Sequence, residues 1–165
     1  MTEVFVDSNV FLRFYAGDDT EQGKTAEAIF VKAKNGGIKL LCGPPVFFEV
    51  AWTLKAWAKW PNDRILETLK AMTAVPNMTL LDEEIVVHAI ALAQETGQEF
   101  ADSYIAAAVR TRGARLATFN RKHFAKLGVP LYRGVDILAA ENALPEVRRT
   151  GFDDRGLDLR NTGSS

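Results

Sequence analysis

The sequence has little cysteine and no long hydrophobic run. Cys42 is the single cysteine among 165 residues. It therefore excludes an intramolecular disulfide framework and a zinc site built from several thiolates, and it favours a reducing compartment. No segment approaches the roughly 18 apolar residues of a membrane span, and the acidic start lacks the basic region of a secretory signal peptide. These absences predict a cytoplasmic protein with no membrane segment.

A large excess of charge of either sign is also absent. Twenty Lys and Arg residues stand against 21 Asp and Glu residues, which gives a net charge of -1 at pH 7. Bulk positive charge therefore cannot hold this chain to nucleic acid, and any such contact must be local. Hydrophobic residues make up 47% of the chain, enough for a core that needs no metal or disulfide to stabilise it.

Short apolar runs alternate with segments of helical periodicity. The runs cover residues 4–6, 38–42, 78–81, 115–118 and 129–132. Between them, apolar residues recur at helical spacing. This alternation predicts a three-layer α/β sandwich with a mainly parallel sheet.

The pattern weakens toward the end of the chain. Pro145, Gly151, Gly156 and Gly163 interrupt a stretch that is rich in Asp and Arg. Its few apolar residues do not recur at helix or strand spacing, so no second domain is expected there. We predict one domain over residues 1–142 and a C-terminal tail over residues 143–165.

Four polar side chains stand where a parallel sheet would bring them to one edge. Asp7 follows the first predicted strand and Asn120 follows the fourth, whereas Glu49 lies one turn into a helix and Asp102 caps another. Ligands of open α/β sheets bind outside the carboxyl ends of the strands. We therefore expect these side chains to line one pocket. Because Glu49 stands in an apolar run, we also expect it to be buried beside a cation or a hydrogen-bond donor.

Three carboxylates in one pocket repel each other, by about 4 kcal/mol for charges about 4 Å apart at an effective dielectric of about 20. Oxygen ligands without thiolates select Mg²⁺ or Mn²⁺, which suit phosphoryl chemistry. Each acid alone is better explained as a helix cap or an ion-pair partner, and only the joint placement of the acids favours a site. No catalytic role is predicted for His88 or His123, because neither lies near a Ser or Cys nucleophile pattern.

The motifs around these residues resemble those of a known family. They are VDSNV at residues 6–10, FEV at 48–50, ADSYIAA at 101–107 and ATFN at 117–120. In this order they resemble the PIN-domain ribonucleases, and most closely the VapC-type toxins of prokaryotic toxin–antitoxin pairs. The resemblance covers about residues 4–133 and implies a PIN-like α/β/α fold. It also implies an endoribonuclease site that uses Mg²⁺ or Mn²⁺, frequent homodimerisation, and an antitoxin partner that blocks the site.

The resemblance also implies roles for single residues. Asp7, Glu49 and Asp102 match the three family acids that hold the principal metal ion. At the fourth position, where the family commonly has Asp, this chain has Asn120. An amide oxygen can ligate Mg²⁺ or hold a water but adds no charge, so a second metal should bind more weakly. Glu99 is a possible substitute, although a solvated loop acid is the simpler interpretation.

We therefore predict a hydrolase that cleaves RNA internally with the help of a divalent metal, with Asp7, Glu49, Asp102 and Asn120 in its site. The departure at Asn120 leaves open a catalytically weak or inactive PIN-like module that binds RNA or protein. The sequence agrees less well with a receiver-type phosphoacceptor domain. Such a domain has paired acids after its first strand and an acceptor Asp after its third. This chain has DSN at residues 7–9 and LDE at residues 81–83.

Aromatic residues are concentrated in the third predicted helix, over about residues 46–60. They are Phe47, Phe48, Trp52, Trp57 and Trp60. Such a helix is apolar almost all round, which indicates core on one side and either core or a partner surface on the other. We expect any exposed part to fit a dimer or antitoxin groove better than RNA bases, because stacking platforms usually lie among Lys and Arg.

Overall fold

The computed structural model describes residues 2–17 and 20–132. These residues belong to one compact unit that ends at Tyr132. The predicted tail, residues 143–165, and the predicted domain end at residue 142 lie outside the described residues.

Three parallel strands form the sheet, in the order β1-β2-β3. They are β1 (Glu3–Phe5), β2 (Lys39–Cys42) and β3 (Met78–Leu80). Leu40 of the central strand pairs with Val4 on one side and Met78 on the other. Leu40 and Cys42 of β2 are fully buried, whereas Lys39 and Leu41, whose side chains point to the opposite face of the sheet, are only partly buried. The parallel sheet and its first three strands are therefore confirmed.

The expected fourth and fifth strands are reduced to one bridge in the described structure. Leu116 and Leu131 form a parallel bridge, in which the Leu116 N–H donates to Pro130 O and the Tyr132 N–H donates to Leu116 O, both at 2.8 Å. Pro130 has no N–H with which to extend the ladder. The two segments meet in the expected direction, but the prediction of two full strands is wrong.

Seven helices lie within the described residues. They are α1 (Ser8–Ala16), α2 (Glu21–Lys34), α3 (Pro44–Ala56), α4 (Asn62–Thr73), α5 (Glu83–Thr96), α6 (Phe100–Thr111) and α7 (Arg121–Lys126). Their ends follow local chemistry: the Thr20 hydroxyl accepts from the Gly23 N–H at 3.2 Å, and Gly97 ends α5 with φ of 70°. No helix of the described chain is both long enough and apolar enough to span a bilayer.

Helix α3 connects the parts of the fold that carry the candidate residues. It packs against α1, α4 and α6. Phe47 is fully buried, and its ring centroid lies 6.2 Å from that of Phe100 in α6. Phe48 contacts both Phe100 and Tyr104, at centroid distances of 5.2 and 5.0 Å. The start of α6 is thus fixed relative to α3 by aromatic packing.

Burial raises the pKa of the Cys42 thiol from 9.0 to about 11. The thiolate is the reactive form of cysteine. We therefore expect the native protein at pH 8 to react negligibly with a thiol reagent such as DTNB. Protein unfolded in guanidinium should react and release one equivalent of thionitrobenzoate per chain. Rapid labelling of the native protein at pH 8 would contradict the burial of Cys42 in the central strand.

Candidate functional site

Asp7 lies at the junction of β1 and α1. Its backbone is extended, and its Oδ1 accepts a hydrogen bond from the Ser8 N–H at 2.8 Å, so it is the N-cap of α1. Val6 and Ser8 on either side are buried, which fixes the backbone, while the Asp7 side chain is exposed. The cap uses one carboxylate oxygen, so capping and metal binding are compatible roles.

Glu49 lies on the solvent side of α3. Phe47 and Val50 beside it are buried, whereas Glu49 itself is exposed. The expectation that this carboxylate is buried and needs a partner is therefore wrong. The apolar run suggested burial all round, but the helical period turns position 49 away from the core. An exposed carboxylate costs little free energy to keep charged, and it is open to a ligand from solvent.

Asp102 lies in the first turn of α6. The helix begins at Phe100 with Glu99 at its N-cap position, so Asp102 is not the cap that the sequence predicted. A carboxylate in this turn is still favoured by the helix dipole. The side chain is partly buried, and its Oδ2 lies 2.8 Å from Nε2 of His123 in α7.

The contact between His123 and Asp102 is a feature of the site that the sequence analysis missed. The two atoms are within ion-pair distance, but Nε2 does not meet the angular requirement of a hydrogen bond. We therefore treat the contact as a charge interaction that is attractive when the imidazole is protonated. The clue in the sequence was the position of His123 on the short helix that directly follows Asn120.

Asn120 occupies the N-cap position of α7. Its N–H donates to the Thr118 hydroxyl at 3.0 Å, and its exposed side chain makes no capping hydrogen bond to α7. The side-chain amide of Asn120 therefore does not cap α7. The same short helix brings both Asn120 and His123 to the part of the fold where Asp102 lies.

Each of two candidate acids is followed by a buried serine. The Ser8 hydroxyl lies 3.4 Å from Oδ1 of Asp7, and Ser103, which follows Asp102, is fully buried. Ser103 Oγ has no hydrogen-bond partner among the described residues. A buried hydroxyl without a partner costs about 1–3 kcal/mol, but successive side chains of a helix do not face each other, so Ser103 gives no evidence of a ligand at Asp102.

The donor set has the chemistry of a hard-cation site. Carboxylates and an amide supply oxygen ligands, and the thiol of Cys42 is in the core. The acids are not gathered, however: within residues 2–17 and 20–132, no three His, Cys, Asp or Glu side chains lie close enough to share an ion. Asp7 is engaged by Ser8 and Asp102 by His123. One shared ion requires these side chains to rotate toward each other, and the joint site stays a prediction.

Two neighbouring groups do not extend the acid set. Glu99 forms a salt bridge with Lys55, so the charge of this possible substitute acid is already balanced. The pKa of Tyr104 is raised by burial and, to a smaller extent, by the negative charge of Asp82. This phenol therefore stays protonated near neutral pH and does not serve as a base.

A sequence profile of the PIN domain family matches residues 4–130, which is more than three quarters of the chain. The chain belongs to the PIN domain family. PIN domains are generally metal-dependent nucleases, and all four candidate residues fall within the matched span. The same sequence has no significant match among curated proteins. The family and the PIN-like α/β fold are thus confirmed.

The two roles of Asp7 can be separated by substitution. Asp7→Ala removes the cap and should lower the free energy of unfolding by about 1 kcal/mol, whereas Asp7→Asn keeps an equally good cap and should change it by less than about 0.5 kcal/mol. Urea unfolding followed by circular dichroism measures both. Equal destabilisation by the two variants would show that the Asp7 charge, and not its cap, stabilises α1.

Proposed function

We propose that this PIN domain is an endoribonuclease that depends on Mg²⁺ or Mn²⁺. The observation that carries the proposal is the placement of Asp7, Glu49 and Asp102 on α1, α3 and α6, with α3 packed against the other two helices, in a chain of a nuclease family. Exposed or partly exposed carboxylates at these positions are accessible to both an ion and a phosphate. The reaction class is hydrolysis of an internal RNA phosphodiester bond, without a covalent intermediate.

Asp7, Glu49 and Asp102 would hold the ion, and each brings a negative charge that favours its binding. The chemistry that a bound ion supplies is activation of water and neutralisation of the scissile phosphate. Asn120 orients the attacking water through its amide, and it can do so as donor or acceptor. Asp102 would have to leave its contact with His123 to reach the ion.

We also propose that the enzyme is a VapC-type toxin, that it forms homodimers, and that a cognate antitoxin covers the acidic site. The four ordered motifs and the PIN domain support this assignment. A second candidate function is a PIN-like module that binds RNA or protein without cleaving it. Asn120 and the separation of the acids within the described chain favour that alternative.

An RNA cleavage assay distinguishes the two functions. Purified protein with mixed RNA and Mg²⁺ or Mn²⁺ should cut internally, EDTA should abolish the cutting, and Asp7→Asn should slow it by at least about 100-fold. Asp63→Asn is the matched control, because it also removes a carboxylate from the start of a helix, and it should cleave like the wild type.

Cleavage that survives both EDTA and Asp7→Asn would come from a contaminant and would refute the proposal. RNA binding without cleavage, under conditions where the ion is shown to bind, would favour the binding module.

Restoring the fourth acid tests the position of Asn120. Asn120→Asp adds a negative charge beside the ion, so we expect the dissociation constant for Mn²⁺ to fall about tenfold, the equivalent of about 1.4 kcal/mol. Isothermal titration calorimetry measures this constant. Asn35→Asp, which adds the same charge at the end of α2, is the control. Equal affinities of Asn120→Asp and the control would show that position 120 does not face the ion.

A further inference from the structure

Helix α7 carries Asn120 at its start, yet its own length gives it little stability. It has six residues, and no side chain caps its first turn. An isolated helix this short does not persist in water, so contacts with the rest of the fold must hold α7 in place. The position of Asn120 therefore depends on what α7 contacts.

Apolar packing attaches α7 to the domain through a small cluster. Phe124 and Leu127 are buried there together with Leu92, Ala106 and Val129. Hydrophobic contact is non-directional, so two buried side chains fix the rotation and axial position of a short helix less firmly than the larger core fixes α3. Directional contacts are needed to place Asn120.

Two polar contacts join α7 to α6 within the described residues. At the start of α7, Nε2 of His123 lies 2.8 Å from Oδ2 of Asp102. Just after its end, the Arg110 guanidinium donates a hydrogen bond from Nη2 to the carbonyl oxygen of Leu127. Rotation of Asp102 toward an ion would break the first contact and leave the second. The contact of Arg110 would then be the directional one that holds α7.

The local structure around Leu127 is built for this contact. Leu127 is 1% exposed, and among the described residues its carbonyl oxygen accepts from Arg110 alone. A buried carbonyl that loses its donor is destabilising. Gly128 follows with a φ of 62°, and a Cβ at this position would lie 3.0 Å from Nη2 of Arg110. The glycine therefore leaves room for the guanidinium beside the carbonyl.

We propose that Arg110 is a positioning residue, which fixes the end of α7 and thereby holds Asn120 toward the divalent ion of the proposed site. The inference rests on the proposed function, because the place of Asn120 matters only if position 120 faces that ion. Arg110 acts through α7 and contacts neither the ion nor the RNA. If Arg110 only stabilised the fold, its loss would have no specific effect at position 120.

Calorimetric titration of paired variants with Mn²⁺ tests the proposal without RNA. Asn120→Asp should tighten Mn²⁺ binding about tenfold in the wild-type background but less than about twofold in Arg110→Met, because the added charge is no longer held toward the ion. Arg110→Lys keeps a donor and a charge, so it should preserve a gain of at least about fivefold. Arg112→Met removes the same charge from an exposed position just after α6, and as the control it should preserve the full gain.

Hydrogen exchange follows α7 itself. In Arg110→Met the amides of residues 124–128 should exchange at least about tenfold faster than in the wild type, whereas the buried middle of α3 should exchange as before. Arg110 is largely exposed, so its substitution leaves the core intact.

Three results would overturn the proposal: no gain from Asn120→Asp in the wild-type background, an undiminished gain in Arg110→Met, or unchanged exchange of α7. An equal loss of the gain in Arg112→Met would also overturn it, because charge and not position would then be the cause. The two proposals fail separately. The expected coupling in a protein that binds Mn²⁺ but does not cleave RNA would leave the positioning role and refute the nuclease. Cleavage without this coupling would leave the nuclease and refute the positioning role.

Discussion

The packing of α3 against α1 and α6 is the constraint on which the rest of the structure depends. Phe47, Val50 and Leu54 anchor one side of α3 in the core, and Phe48 contacts the start of α6. A close-packed core of this kind resists displacement, so the backbones that carry the candidate acids are held in fixed relation. The opposite side of the same helix is left to solvent, and Glu49 and Trp52 lie there.

The near-neutral charge of the chain conceals a local separation of charge. Acidic side chains occupy the starts of α1 and α6 and the amino-terminal half of α3, whereas Lys55, Lys59 and Arg64 lie toward its other end. A net charge of -1 is therefore compatible with the proposed binding of a divalent ion by a local group of acids.

Sequence reasoning succeeded where local chemistry decides the structure. The first three strands, and the position of Asp7 after the first of them, were predicted from short apolar runs and their boundaries. It failed where contacts between distant segments decide. The exposure of Glu49 depends on which side of α3 meets the core, and the approach of His123 to Asp102 depends on where α7 packs. Such tertiary contacts leave little trace in a local pattern.

The central claim is that Asp7, Glu49 and Asp102 share one divalent ion. A crystal grown with Mn²⁺ and measured for anomalous scattering tests it most directly. The account predicts one strong peak with carboxylate oxygens of all three residues about 2.1 Å away, after rotation of the Asp102 side chain from its contact with His123. A crystal saturated with Mn²⁺ whose anomalous peaks lie elsewhere, with the three carboxylates still apart, would contradict it.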